Sequence, residues 1–134
     1  QGIYIGAAES THNEIANNLI TNYNPTNTKT CVAGINIANG TRSVVRDNLI
    51  ATGPGTTIAT GINIGGTPTF VMDNLLTEAV LGVFTTGIAT SAGGFCKGNI
   101  CGMTTTTYIS GPEANVGVVN NYSSSGAGGA LIVV

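Results

Sequence analysis

Two aspartates hold equivalent places in a recurring heptapeptide: Asp47 in Val44-Val45-Arg46-Asp47-Asn48-Leu49-Ile50 and Asp73 in Phe70-Val71-Met72-Asp73-Asn74-Leu75-Leu76. If successive copies stack as neighbouring strands, the two carboxylates come within about 5 Å of each other. A pair that close raises one carboxyl pKa, which is how glycosidases and related enzymes obtain a general acid beside a base. The plainer expectation is an exposed turn in which Asp is merely favourable. The corresponding positions in other copies are Asn17, Gly98 and Asn120, all turn formers. Arg46 precedes Asp47 and on a strand would project to the opposite side, so no pairing between them is expected.

The remaining reactive groups are sparse. Glu9, His12 and Glu14 lie close together near the N-terminus and read as a solvated loop. Glu78 stands alone. His12 is the only His, and Cys31, Cys96 and Cys101 are not spaced as metal ligands, so neither a metal nor a cofactor is expected. An odd number of Cys argues against a disulfide framework. Cys96 and Cys101 read instead as buried thiols acting as small hydrophobes. Tyr4 and Tyr23 can stack on sugar rings, and the amides of Asn36 and Asn63 match sugar hydroxyls, which makes these four the candidate carbohydrate-binding residues.

Composition narrows the classes. The chain has 134 residues, enough for one domain with a core. Charged residues are only 7%, yet 42% are hydrophobic and many are β-branched, so the low charge does not signal disorder. With four Lys and Arg in total and a net charge of −2, no basic patch for nucleic acid can be assembled. No apolar run reaches the length of a membrane span. The chain starts at Gln1 and enters directly into a repeat, so it is expected to be part of a longer protein.

The elements that would position these residues come from that repeat. The heptapeptide also occurs as Glu14-Ile15-Ala16-Asn17-Asn18-Leu19-Ile20 and Phe95-Cys96-Lys97-Gly98-Asn99-Ile100-Cys101, with a weaker copy ending at Asn121 and Tyr122. The key Asn residues, Asn18, Asn48, Asn74, Asn99 and Asn121, are spaced by 30, 26, 25 and 22. A second marker, Gly-Ile-x-Ile, begins at Gly2, Gly34 and Gly61 and continues more loosely at Gly87, with spacings of 32, 27 and 26. Two markers in step define a repeat of about 26 residues. Thr, Val, Ile, Asn and Gly dominate it, and the apolar alternation has period two, so it is built from strands and turns.

These features predict an all-β fold, a parallel β-helix of about five coils stacked about 4.8 Å apart. Ile15, Val45, Val71, Cys96 and Val118 are predicted to point inward, as are Ile20, Ile50, Leu76 and Cys101 one bend later. The five Asn form a ladder at the corner between them, bonding their neighbours in the stack. The Gly markers occupy another corner, where positive φ or close approach is needed. Residues 1–122 are assigned to the coils, and 123–134 to a Gly/Ser hinge and a C-terminal apolar strand that either caps the last coil or pairs with another chain.

The aliphatic-x-x-Asn-x-aliphatic corner, with Gly-Ile-x-Ile one strand away, resembles the right-handed parallel β-helix superfamily of pectate-lyase-like enzymes and bacteriophage tailspikes. The near-absence of charge, with abundant Thr, Gly, Asn and Ser, is most similar to phage tail fibres and tailspikes. The resemblance implies a fibre segment on a virion tail or outside the cell, recognising a host surface polysaccharide as a homotrimer. The alternatives are part of a polysaccharide lyase or hydrolase, with Asp47 and Asp73 as its carboxylates, and a self-assembling structural stalk. One feature of the residues themselves points to a partner chain. Leu19, Leu49, Leu75, Ile100 and Tyr122 each follow the corner Asn, so they face outward and stack into an apolar stripe that a monomer seldom exposes; either a third sheet or loop covers it or another subunit does, and the subunit is the favoured cover.

Overall fold

The computed structural model describes residues 2–6, 11–22, 31–39, 42–52, 57–65, 69–78, 83–90, 94–102, 104–110, 117–119, 122–124 and 131–133. These residues form strands and turns with no helix among them. The first coil holds β1 (Ile3–Ile5), β2 (Glu14–Ala16) and β3 (Leu19–Asn22). The second holds β4 (Cys31–Ile37), β5 (Ser43–Arg46) and β6 (Leu49–Thr52), and the third β7 (Thr57–Ile64), β8 (Thr69–Met72) and β9 (Leu75–Glu78). The fourth holds β10 (Val83–Thr90), β11 (Gly94–Lys97) and β12 (Ile100–Gly102), and the fifth β13 (Thr104–Ser110), β14 (Gly117–Val119) and β15 (Tyr122–Ser124). A last strand, β16 (Leu131–Val133), follows.

Each coil gives one strand to each of three sheets. The first sheet runs β1-β4-β7-β10-β13, the second β2-β5-β8-β11-β14, and the third β3-β6-β9-β12-β15-β16. All pairs are parallel except the last, in which β16 runs antiparallel to β15 with Tyr122 opposite Val133. The chain is a parallel β-helix of five coils, as its repeat predicts. Ser123 and Ser124 belong to β15, so the expected boundary after residue 122 falls within a strand.

The core follows from the registers. Ile15, Val45, Val71 and Cys96 stack in one row. Ile20, Ile50, Leu76 and Cys101 stack in the next. Ile35, Ile62 and Ile88 close the third side. Apart from Ile20, which packs against the rest while partly exposed, all of these are buried in one apolar cluster. Full burial of such a side chain is worth about 1.5–3 kcal/mol, so these rows hold the coils together.

Two features shape the coils. Between the second and third sheets the chain turns in two residues, the first of them left-handed: Asn17, Asp47 and Asp73 have φ of 56°, 55° and 53°, and Gly98 has 66°. The corner Asn follows each. The second feature is the glycine row, which lies inside the long first-sheet strands and is set by crowding. A Cβ on Gly34 would sit 2.8 Å from Gly61 O and 2.8 Å from Ile50 Cγ2. One on Gly61 would strike Leu76 and approach Gly87 O to 2.7 Å. The glycines therefore let successive coils approach where the first sheet meets the third-sheet side chains.

Candidate functional site

The Asn corner is a continuous hydrogen-bond ladder. Asn18 Nδ2 donates to Asn48 Oδ1, Asn48 Nδ2 to Asn74 Oδ1 and Asn74 Nδ2 to Asn99 Oδ1, each at 2.9 Å. The backbone N–H of each donor Asn bonds the same oxygen at 3.1 Å. Asn48, Asn74 and Asn99 are buried, and the ladder supplies the partners that buried amides require. Asn121, the fifth predicted rung, lies outside the described residues.

Outside the ladder, Asp47 and Asp73 sit one coil apart in the left-handed turn position. Their N–H groups donate to the next coil, Asp47 to Met72 O at 3.3 Å and Asp73 to Lys97 O at 2.9 Å. Both side chains are exposed. The expectation that Arg46 and Asp47 point apart is corrected: Arg46 Nη1 bonds Asp47 Oδ2 at 2.6 Å. The strand ends at Arg46 and Asp47 has positive φ, so strand alternation no longer governs its direction. Arg46 also donates from Nε and Nη2 to Glu14 Oε1, at 2.8 and 2.6 Å. These contacts, Asp47 first and then Glu14, raise the guanidinium pKa above its ordinary value and keep it charged. The Asp73 carboxylate lies over Gly98, where a Cβ would strike it.

The outer face of the second sheet carries a cluster that the candidate residues did not include. Glu14, Val44, Phe70 and Phe95 form one row across β2, β5, β8 and β11, and Ala16, Arg46, Met72 and Lys97 form the row beside it. Phe70 is 44% exposed. Its ring lies 6.1 Å from that of Phe95 at an interplanar angle of 56°, a tilted aromatic pair. The signal was present in the sequence. Phe70 and Phe95 each precede an inward residue, Val71 and Cys96, in consecutive copies, so they had to stack and face out.

Leu19, Leu49, Leu75 and Ile100 of the predicted apolar stripe lie in one outer row of the third sheet. Leu19, Leu49, Leu75, Ile100 and Tyr122 are in register from β3 to β15. Leu19, Leu75 and Ile100 are 69%, 42% and 46% exposed, and Leu49 is half-buried. In the second and third coils the two-residue turns at Asp47 and Asp73 separate this stripe from the second sheet's strands.

Three of the four carbohydrate candidates fall in one outer row of the first sheet, where Tyr4, Asn36 and Asn63 are in register. Tyr4 is exposed. Asn36 is buried and its Oδ1 accepts from Asn63 Nδ2 at 2.9 Å, so the two amides form a second short ladder. Tyr23 lies outside the described residues. Cys96 and Cys101 are buried thiols outside any disulfide, and burial pushes the Cys96 thiol up to about 12. Among the described residues no group of His, Cys, Asp and Glu is placed to hold a metal ion, and no helix is long and apolar enough to cross a membrane. Compared with protein families, with curated proteins and with solved structures, the chain matches none.

Proposed function

We propose that this column is a segment of a bacteriophage tailspike or related fibre that recognises a host surface polysaccharide, on a virion tail or otherwise outside the cell. The observation that carries this reading is the outer face of the second sheet. Exposed Phe70, paired with Phe95, lies beside the Glu14–Arg46–Asp47 network. Sugar rings offer apolar faces that stack on aromatics, and hydroxyls that bond carboxylates and guanidinium groups. Tyr4 and Asn63 on the first sheet supply a second polar-aromatic strip. The apolar row from Leu19 to Ile100 serves the other half of the role, as the seam between three parallel columns.

The reading is tested by titrating the chain with purified bacterial surface polysaccharides and their oligosaccharides. Phe70→Ala and Arg46→Ala are each expected to weaken binding at least about fivefold, the cost of losing a contact worth about 1 kcal/mol. Absence of binding across a broad panel, or binding indifferent to both changes, would overturn it. A depolymerase reading, in which Asp47 and Asp73 act on the polysaccharide, is separated by the double change to Ala. Binding without cleavage by the parent chain, unaltered in the double variant, keeps the recognition role alone.

A further inference from the structure

The Asn ladder has a direction, and its first rung is incomplete. At each step the earlier Asn donates its N–H and Nδ2 to Oδ1 of the next. Two bonds return. The residue after the later Asn donates its N–H to the earlier Asn carbonyl: Leu49 to Asn18, Leu75 to Asn48 and Ile100 to Asn74, each at 2.9 Å. The later Asn also donates Nδ2 to a core carbonyl of the earlier coil, from Asn48 to Ile15, Asn74 to Val45 and Asn99 to Val71. Asn18 departs from this pattern. Its Oδ1 accepts no hydrogen bond among the described residues, and its Nδ2 turns back to Ala16 O in its own coil at 3.1 Å.

Among the described residues the core is less covered at the same end. Ile3, Ile5 and Ile20 are only partly buried, whereas their register partners Ile35, Ile37 and Ile50 are fully buried. A concavity of about 380 Å³ lies there, lined by Gly2, Ile3, Asn18, Leu19, Ile20 and Thr21. β1, β2 and β3 each stand first in their sheet, so three parallel strand edges reach this face together. An unpaired edge is a template for another strand.

We propose that this end of the column is a docking face for one further β-helical coil. The bond pattern, repeated three times within the molecule, specifies the occupant. It runs parallel to β1, β2 and β3 and places an Asn over Asn18. It offers that Asn's carbonyl to the Leu19 N–H and turns aliphatic side chains into the concavity. A second copy of this chain does not supply such a coil. Its last coil carries β16 antiparallel on β15, so a stacked copy would present an antiparallel strand to β3 and hold its own corner about one strand spacing too far away. The proposal does not depend on sugar recognition.

The test supplies the coil. Residues 34–60 end where Gly61 begins the next Gly-Ile-Asn-Ile, the role that Gly2 plays in coil one. A duplicate of 34–60 placed directly before Gly2 therefore enters the column in register. The expected result is a melting temperature several degrees higher and exchange of the Leu19 amide slowed by about tenfold or more. The same duplicate carrying Asn48→Ala should lose more than half of both gains. Unchanged Leu19 exchange, or equal gains with Asn and with Ala, would overturn the proposal. So would concentration-dependent dimers of the 134-residue chain that Asn18→Ala dissolves, because they would assign the face to a second copy.

Discussion

The corner Asn residues do different amounts of work although they share one motif. The Asn48 and Asn74 side chains each accept from the coil before and donate to the coil after, while the Asn18 side chain only donates. Removing an interior rung leaves buried partners on both sides unsatisfied, and removing the first leaves fewer. Asn48→Ala and Asn74→Ala are expected to cost about 2–4 kcal/mol, and Asn18→Ala about 1 kcal/mol, as read by chemical denaturation. Equal costs at the three positions would contradict the directional ladder. Cys96 gives a pH signature. Its folded pKa is raised to about 12 from 9.0, so the native state holds a proton that the unfolded chain releases. That contribution to stability is complete below about pH 9 and is lost as pH rises toward 12, with a slope of up to about 1.4 kcal/mol per pH unit. Cys96→Val should remove that part of the slope while leaving neutral-pH stability within about 1.5 kcal/mol. An unchanged alkaline slope would contradict a buried neutral thiol.

At the scale of elements, the strands were legible because the core rows alternate with period two and the markers keep step. Val45 and Ile50 were readable as inward because each recurs as an aliphatic residue or Cys at fixed distance from an Asn. The directions of side chains at the turn were not legible. Asp47 has positive φ, and a rule for extended strands therefore misplaced it relative to Arg46. The Phe70–Phe95 face is legible only when stacking is combined with outward alternation, because neither ring is marked by its own residue type alone. Asn36 shows the opposite limit: an outer-row amide is buried because a neighbouring coil supplies its partner. The repeat alone predicts a corner at the glycine row, whereas the glycines lie within strands and are required by close approach between coils. Gly34→Ala and Gly61→Ala are expected to destabilise by about 1–3 kcal/mol by thermal or chemical melts, because the neighbouring atom is a backbone carbonyl that cannot rotate away. Tolerance of Ala at both would contradict the tight packing between coils along the glycine row.

At the scale of the whole molecule, the column has unlike sides. The second sheet presents aromatics and charges, and the third presents the aliphatic row Leu19, Leu49, Leu75 and Ile100. In the proposed fibre this uncharged apolar row would give the subunit seam its driving force, and parallel columns in a closed ring would satisfy it for every chain. Trimeric assembly along this row is the architectural half of the proposed fibre reading. Sedimentation equilibrium across a range of concentrations tests it, with the Leu49→Ser, Leu75→Ser double variant run beside the parent chain. The predicted result is a species of three times 13.4 kDa that the double variant shifts toward a folded monomer. A parent chain that stays at 13.4 kDa at every concentration, or a double variant that assembles equally well, would contradict it.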